Sequence, residues 1–149
     1  MDDLIQKLHL VEYTEPEDGS KNFRAPGFGE VKSYRDINDA VGAYFEKERK
    51  AQKLSQATIG ELLGTPGHVY QRYEKGNTRF TVARAVHLME LLDLGPIDCL
   101  YAAAPHLFGK TEDEARLRKD LIDRIMSLDT ETVTDLSRVI AHIHPNKDG

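Results

Sequence analysis

Apolar residues recur at helical spacing over most of the chain, and no segment alternates convincingly as a strand would. Ile37, Val41, Tyr44 and Phe45 form one stripe, with Glu46, Lys47 and Lys50 around it. That pattern predicts a helix capped by Asp36 and running to about Gln52. Ser55 can cap a second, shorter helix whose buried positions are Ile59, Leu62 and Leu63. Gly64-Thr65-Pro66-Gly67 stops it, and a third helix is expected over 67–75, ended by Gly76-Asn77. A fourth, over 81–92, points Val82, Ala85, Val86, Met89 and Leu92 inward. A fifth, over 96–103, does so with Ile97, Leu100 and Tyr101. Beyond a linker at 104–110, the stripes Leu117/Leu121/Ile125 and Leu136/Val139/Ile140/Ile143 predict helices over 112–126 and 130–142. The expected fold class is all-α.

Residues 1–35 read differently. A short helix over 3–10 fits, but Glu15-Pro16-Glu17-Asp18-Gly19-Ser20 and Ala25-Pro26-Gly27-Phe28-Gly29 punctuate the rest as an arm. The expected division is an arm at 1–35, a helical domain at 36–104 and a C-terminal helical extension at 111–144.

Charge sharpens this division. The net formal charge is −5, yet residues 46–84 hold eight Lys/Arg against four Asp/Glu, and residues 85–149 hold seven against twelve. A basic island on an acidic chain suits contact with a polyanion through one face. The single cysteine, Cys99, excludes an intrachain disulfide framework and a CxxC zinc pattern; among Ile97, Leu100 and Tyr101 it reads as core packing. No apolar run approaches the roughly 20 residues that span a bilayer, and no signal-peptide pattern is present, so the expected location is the cytoplasm. His142 and His144 lack a carboxylate partner and read as a solvated helix end, so no metal or other cofactor is expected. No nucleophile–base arrangement or phosphate-binding glycine loop has local support, so the chain reads as a non-enzyme.

The stretch 54–76 has its own physical logic. Two short helices crossing steeply need a small residue at their contact, and Gly60 supplies it. Their short turn needs a residue free to adopt positive φ, and Gly64 supplies it. Tyr70 and Tyr73 share the inner face of the second helix. Its outer face then carries Gly67, His68, Val69, Gln71, Arg72 and Lys75, a donor-rich surface of a size that fits a major groove.

The Leu54-Ser55-Gln56 opening, Gly60, Gly64 and the Glu74-x-Gly76 ending resemble the xenobiotic-response-element family of helix-turn-helix regulators, which share the five-helix lambda-repressor-like fold. The resemblance implies double-stranded DNA as partner and assigns roles. His68, Val69 and Arg72 face base edges, Arg72 with the fork that reads guanine and Val69 toward a thymine methyl. Gln56, Lys75, Asn77, Thr78 and Arg79 meet phosphates, and Gln56 also braces the recognition helix. Arg49 and Glu74 pair as a structural brace. The chain departs from the family at Pro66-Gly67, where a Ser or Thr cap and a polar residue are usual. A base contact is lost at Gly67, and backbone amides are left to face phosphate. It departs again at Tyr70, which stands for Ile or Val. Its hydroxyl either finds a buried partner or emerges toward the DNA backbone.

One recognition helix binds weakly alone, and dimers engage half-sites about 34 Å apart. The C-terminal stripes therefore read either as a cover for the core or as a homodimer interface on a two-fold symmetric operator. The function expected is a homodimeric repressor. The alternative is an antitoxin or other protein-interaction module that holds a partner protein through its arm and C-terminal helices.

Overall fold

The computed structural model describes residues 1–144. Among these, the chain is mostly helical, with one small sheet. Helix α1 (Asp2–Lys7) leads into strands β1 (Val11–Thr14) and β2 (Lys21–Arg24), followed by α2 (Tyr34–Ala51), α3 (Gln56–Leu62), α4 (Gly67–Glu74), α5 (Val82–Leu92) and α6 (Pro96–Ala103). A 3-10 turn at Pro105–Leu107 precedes α7 (Glu112–Met126) and α8 (Thr130–Ile143).

The arm corrects the all-α expectation. β1 and β2 pair antiparallel, Val11 opposite Arg24 and Thr14 opposite Lys21. Most strand residues are exposed, with only Tyr13, Asn22 and Arg24 partly covered. A strand without a buried face writes no hydrophobic alternation, so the pattern stayed silent. Glu15 holds the hairpin to the helical body. It is 3% exposed and accepts from Asn22, from Arg24 and from the Tyr34 backbone N–H, each at 3.1 Å. Arg24 also lies over the Tyr34 ring at 4.6 Å.

Helix α2 starts two residues before the expected cap. Ser33 is the N-cap, and Asp36 closes a capping box by accepting from the Ser33 backbone N–H at 2.9 Å, while the Ser33 hydroxyl accepts from Asp36 N–H at 3.0 Å. The reciprocal bonds from Ser33 hold the Asp36 carboxyl below the ordinary range. Ser55 caps α3 as expected, by accepting from Thr58 N–H at 3.0 Å.

Phe45, Ile59, Leu63, Tyr70, Leu88, Leu92 and Cys99 form the core, with Phe80 stacked between Phe45 and Tyr73 at 5.4 and 5.1 Å. Several inward assignments reverse. Leu62, Val82, Val86 and Leu100 are exposed, whereas Leu88 and Cys99 carry the burial on α5 and α6. A rotation of one residue along a short helix suffices for this, because a helix of two or three turns has few apolar positions to fix its phase. Burial pushes the Cys99 thiol up, as a packed core cysteine requires.

α7 is fastened to this body by Ala115, fully buried, and by Lys119, which pairs with Asp98 of α6 and Asp123 of its own helix. α8 has no buried residue. Of the C-terminal pair, α7 therefore packs on the helical body, while α8 leaves most of its apolar stripe exposed.

Candidate nucleic-acid interface

α3 and α4 form a helix-turn-helix whose crossing is set by two glycines facing each other. A Cβ on Gly60 would lie 2.7 Å from the Thr65 carbonyl oxygen and 2.8 Å from Gly67 Cα, and one on Gly67 would lie 2.8 Å from Ala57 Cα. Both contacts are with backbone, so neither can yield as a flexible side chain would. Gly64 occupies the turn at φ +68° and Gly76 ends α4 at φ +69°, the two positive-φ positions expected from the sequence. Gly67 thus serves packing directly. Its missing side chain is what lets the tip of α4 approach α3.

Beneath α4 runs a buried polar brace. Arg49 donates from Nε to Glu74 Oε1 at 2.5 Å and from Nη2 to Oε2 at 2.9 Å, and its Nη1 donates to the Leu54 carbonyl at 2.6 Å. Gln56 donates from Nε2 to Glu74 Oε2 at 2.7 Å. Burial pushes the Glu74 carboxyl up, but the bonds from Arg49 and Gln56 outweigh it and hold it below the ordinary carboxylate range. The brace therefore stays ionised, and it ties α2, α3 and α4 at one point.

Tyr70 is fully buried, which removes the emergent reading. Its hydroxyl makes no hydrogen bond. Burial, reinforced by the neighbouring Glu74 charge, raises its pKa well above the usual phenol range.

With Tyr70 and Glu74 inside, α4 presents an outer face with no exposed carboxylate. His68, Arg72 and Lys75 are exposed, and Val69 and Gln71 are half-buried between them. Asn77 and Arg79 are exposed in the following loop, and Thr78 is half-buried with its N–H donated to the Arg72 carbonyl at 3.1 Å. Only its hydroxyl is free to meet a phosphate. Gln56 has one amide hydrogen engaged by Glu74 and a second left over. Arg79 already faces an anion, because its Nη2 donates to Glu17 of the hairpin turn at 3.0 Å.

Asn38 was not anticipated from the sequence. It is 8% exposed and organises the whole loop after α4. Its Nδ2 donates to the carbonyls of Gly76 and Thr78 at 3.0 and 3.3 Å, and its Oδ1 accepts from Phe80 N–H at 2.9 Å. A polar residue between Ile37 and Val41, inside the apolar stripe, was the available signal. Arg84 adds a further hold, donating to the Leu63 carbonyl at 3.2 Å from α5.

No protein-family model matches the chain, and no solved structure matches it. Over 56 residues it is 34% identical to the uncharacterized HTH-type transcriptional regulator y4aM of Sinorhizobium fredii (strain NBRC 101917 / NGR234). The similar stretch covers 38% of this chain and 39% of that protein, so the chain matches about two-fifths of its relative's length. The likeness is to a regulator of the helix-turn-helix class. No helix among the described residues is long and apolar enough to cross a membrane.

Proposed function

We propose that the chain is a sequence-specific DNA-binding transcriptional regulator of the lambda-repressor-like type, with residues 36–104 as its reading unit. The observation that carries this is the bare, carboxylate-free outer face of α4, held on a buried brace. In this reading α4 enters the major groove, Arg72 and His68 reach base edges and Val69 meets a thymine methyl. Gln56, the Gly67 amide, Lys75, Asn77, Thr78 and Arg79 take phosphates on either side. The similarity to a helix-turn-helix regulator supports the same reading.

Arg72→Ala is expected to leave the melting temperature unchanged and to cost about 1–3 kcal/mol of preference for the operator over bulk duplex. Operator binding measured against salt separates the two components of affinity. Lys75→Ala should weaken all sequences alike and lower the salt slope by about one. Unchanged selectivity in the Arg72 variant would place the reading surface elsewhere.

The proposed reader is a homodimer that represses by occluding polymerase at a two-fold symmetric operator. Leu117, Leu121, Val139, Ile140 and Ile143 are all more than half exposed, and α8 buries nothing within one chain. Such a surface needs a cover. Ile140→Asp is expected to shift the sedimenting species from dimer to monomer, and to weaken operator binding by at least about tenfold through loss of the second half-site. The same surface favours the second reading, an antitoxin or other module holding a different protein. A chain that sediments as a monomer before any substitution would favour that reading over the homodimer.

A further inference from the structure

A cleft lies away from α4, where the arm, α6 and α7 meet. It has a volume of about 630 Å³, within the range of roughly 300–1,000 Å³ typical of small-molecule sites. Phe28 and His106 stand edge to face in its wall, their rings 6.4 Å apart, and Tyr101 lines the α6 side. The arm reaches the cleft through a tight turn in which Gly27 and Glu30 exchange backbone hydrogen bonds. That turn holds Phe28 at φ +53°, a left-handed conformation that strains a bulky L-residue. Gly27 lies so close to the imidazole that a Cβ there would sit 2.6 Å from His106 Nδ1. The aromatic wall is therefore assembled by strained, close packing.

Charge in the cleft is not balanced with depth. Lys32 is half-buried and forms no ion pair among the described residues. His106 is also half-buried, and burial, with the positive charges of Lys32 and Arg24, holds its pKa below the usual imidazole value. The carboxylates of the lining, Glu30 and Glu112, are exposed at the rim, as is Arg116, which is already paired with Asp113. The cleft thus offers aromatic surface beside the Lys32 ammonium, which forms no direct ion pair among the described residues, and the His106 imidazole.

We propose that this cleft binds a small aromatic carboxylate, its ring against Phe28 and Tyr101 and its carboxylate on Lys32 and His106. The bound anion would give Lys32 a direct ion-pair partner, and would join the arm to α6 and α7 in one contact. The site stands independently of DNA binding. Only its use as an effector site rests on the regulator reading.

The test is a titration of the full chain, followed by amide and imidazole NMR shifts, with benzoate and indole-3-acetate as probes and benzamide as the neutral control. The expected result is saturable shifts at Phe28, Lys32, Tyr101 and His106 with at least one acid, complete below about 10 mM, and binding at least about tenfold weaker for benzamide. Lys32→Met should weaken the acid by a similar factor with the melting temperature unchanged. Absence of saturation with both acids, equal binding of benzamide, or full affinity in a folded Lys32→Met chain would each overturn the proposal. None of these readouts involves DNA, so a failed operator experiment leaves them intact.

Discussion

Replacing Arg49 by Met is expected to lower the unfolding free energy by about 3–5 kcal/mol. The reason is what the substitution leaves behind. The Glu74 side chain is 1% exposed and takes two charge-assisted bonds from Arg49, and Gln56 alone cannot compensate its charge in that position. Urea unfolding at neutral pH measures the loss. The pH dependence identifies its cause. In the intact protein Glu74 is held below its unfolded value, so its contribution is present above the unfolded carboxyl pKa and fades as pH falls through the folded value. Without Arg49, burial prevails and the folded pKa rises above the unfolded one. The variant's penalty then applies in full at neutral pH and shrinks in acid, where protonation removes the buried charge. The two stability curves should converge as pH falls toward about 4. A gap that stays constant over that range would mean that lost packing, not lost charge pairing, destabilises the variant. The paired change Arg49→Met with Glu74→Leu should recover much of the stability, since an apolar pair of similar volume commonly does.

Gly60→Ala carries the second large effect, and intrinsic propensity predicts the opposite sign. Alanine is favoured over glycine inside a helix by about 1 kcal/mol. Here the added methyl group would press on the Thr65 carbonyl and on Gly67 Cα and N, all within 2.8 Å. The expected net result is a loss of about 1–3 kcal/mol in thermal or urea unfolding, because backbone on the facing helix cannot step aside as a rotamer can. Relief by tilting α4 would misalign Arg72 and His68 with the groove, so operator selectivity should fall more than stability does. A more stable Gly60→Ala chain would show that α3 and α4 do not meet as closely as described.

The parts of this fold legible in the sequence are those in which one residue type has one physical use. Gly64 and Gly76 sit at positive φ and Ser55 caps α3 as the spacing implied, and Arg49 meets Glu74 as the family resemblance implied. The helices were legible for the same reason, because their apolar residues repeat against a single core. The hairpin was not, since its strands bury almost nothing and its anchor is the buried carboxylate of Glu15, a residue that reads as surface charge in a Pro-rich turn. The phase of α5 and α6 was not legible either. Val82, Val86 and Leu100 are as apolar as Leu88, and only three-dimensional packing decides which turns inward. Asn38 marks the same limit from the polar side. Its three bonds join residues about forty positions away, and nothing local announces them. The outward residues of α4 were placed by helical spacing, and only their roles toward DNA by resemblance to a family. The fold exposes His68, Arg72 and Lys75, half-buries Val69 and Gln71, and assigns Gly67 a packing duty in addition.

The contact between Arg79 and Glu17 bears on what binding to DNA would gain. Each cation that neutralises a phosphate releases the counterion condensed there, which is why the slope of affinity against salt reports the number of such contacts. In the proposed reading, Arg79 would reach a phosphate only by giving up the Glu17 carboxylate of its own chain. A lone carboxylate such as Glu17 has no condensed atmosphere to refill, so the counterion shed by the phosphate would still be counted in the salt slope. The intrachain pair given up would instead lower the net affinity gained from that contact, so the hairpin turn would set how much the contact is worth without changing how it is counted.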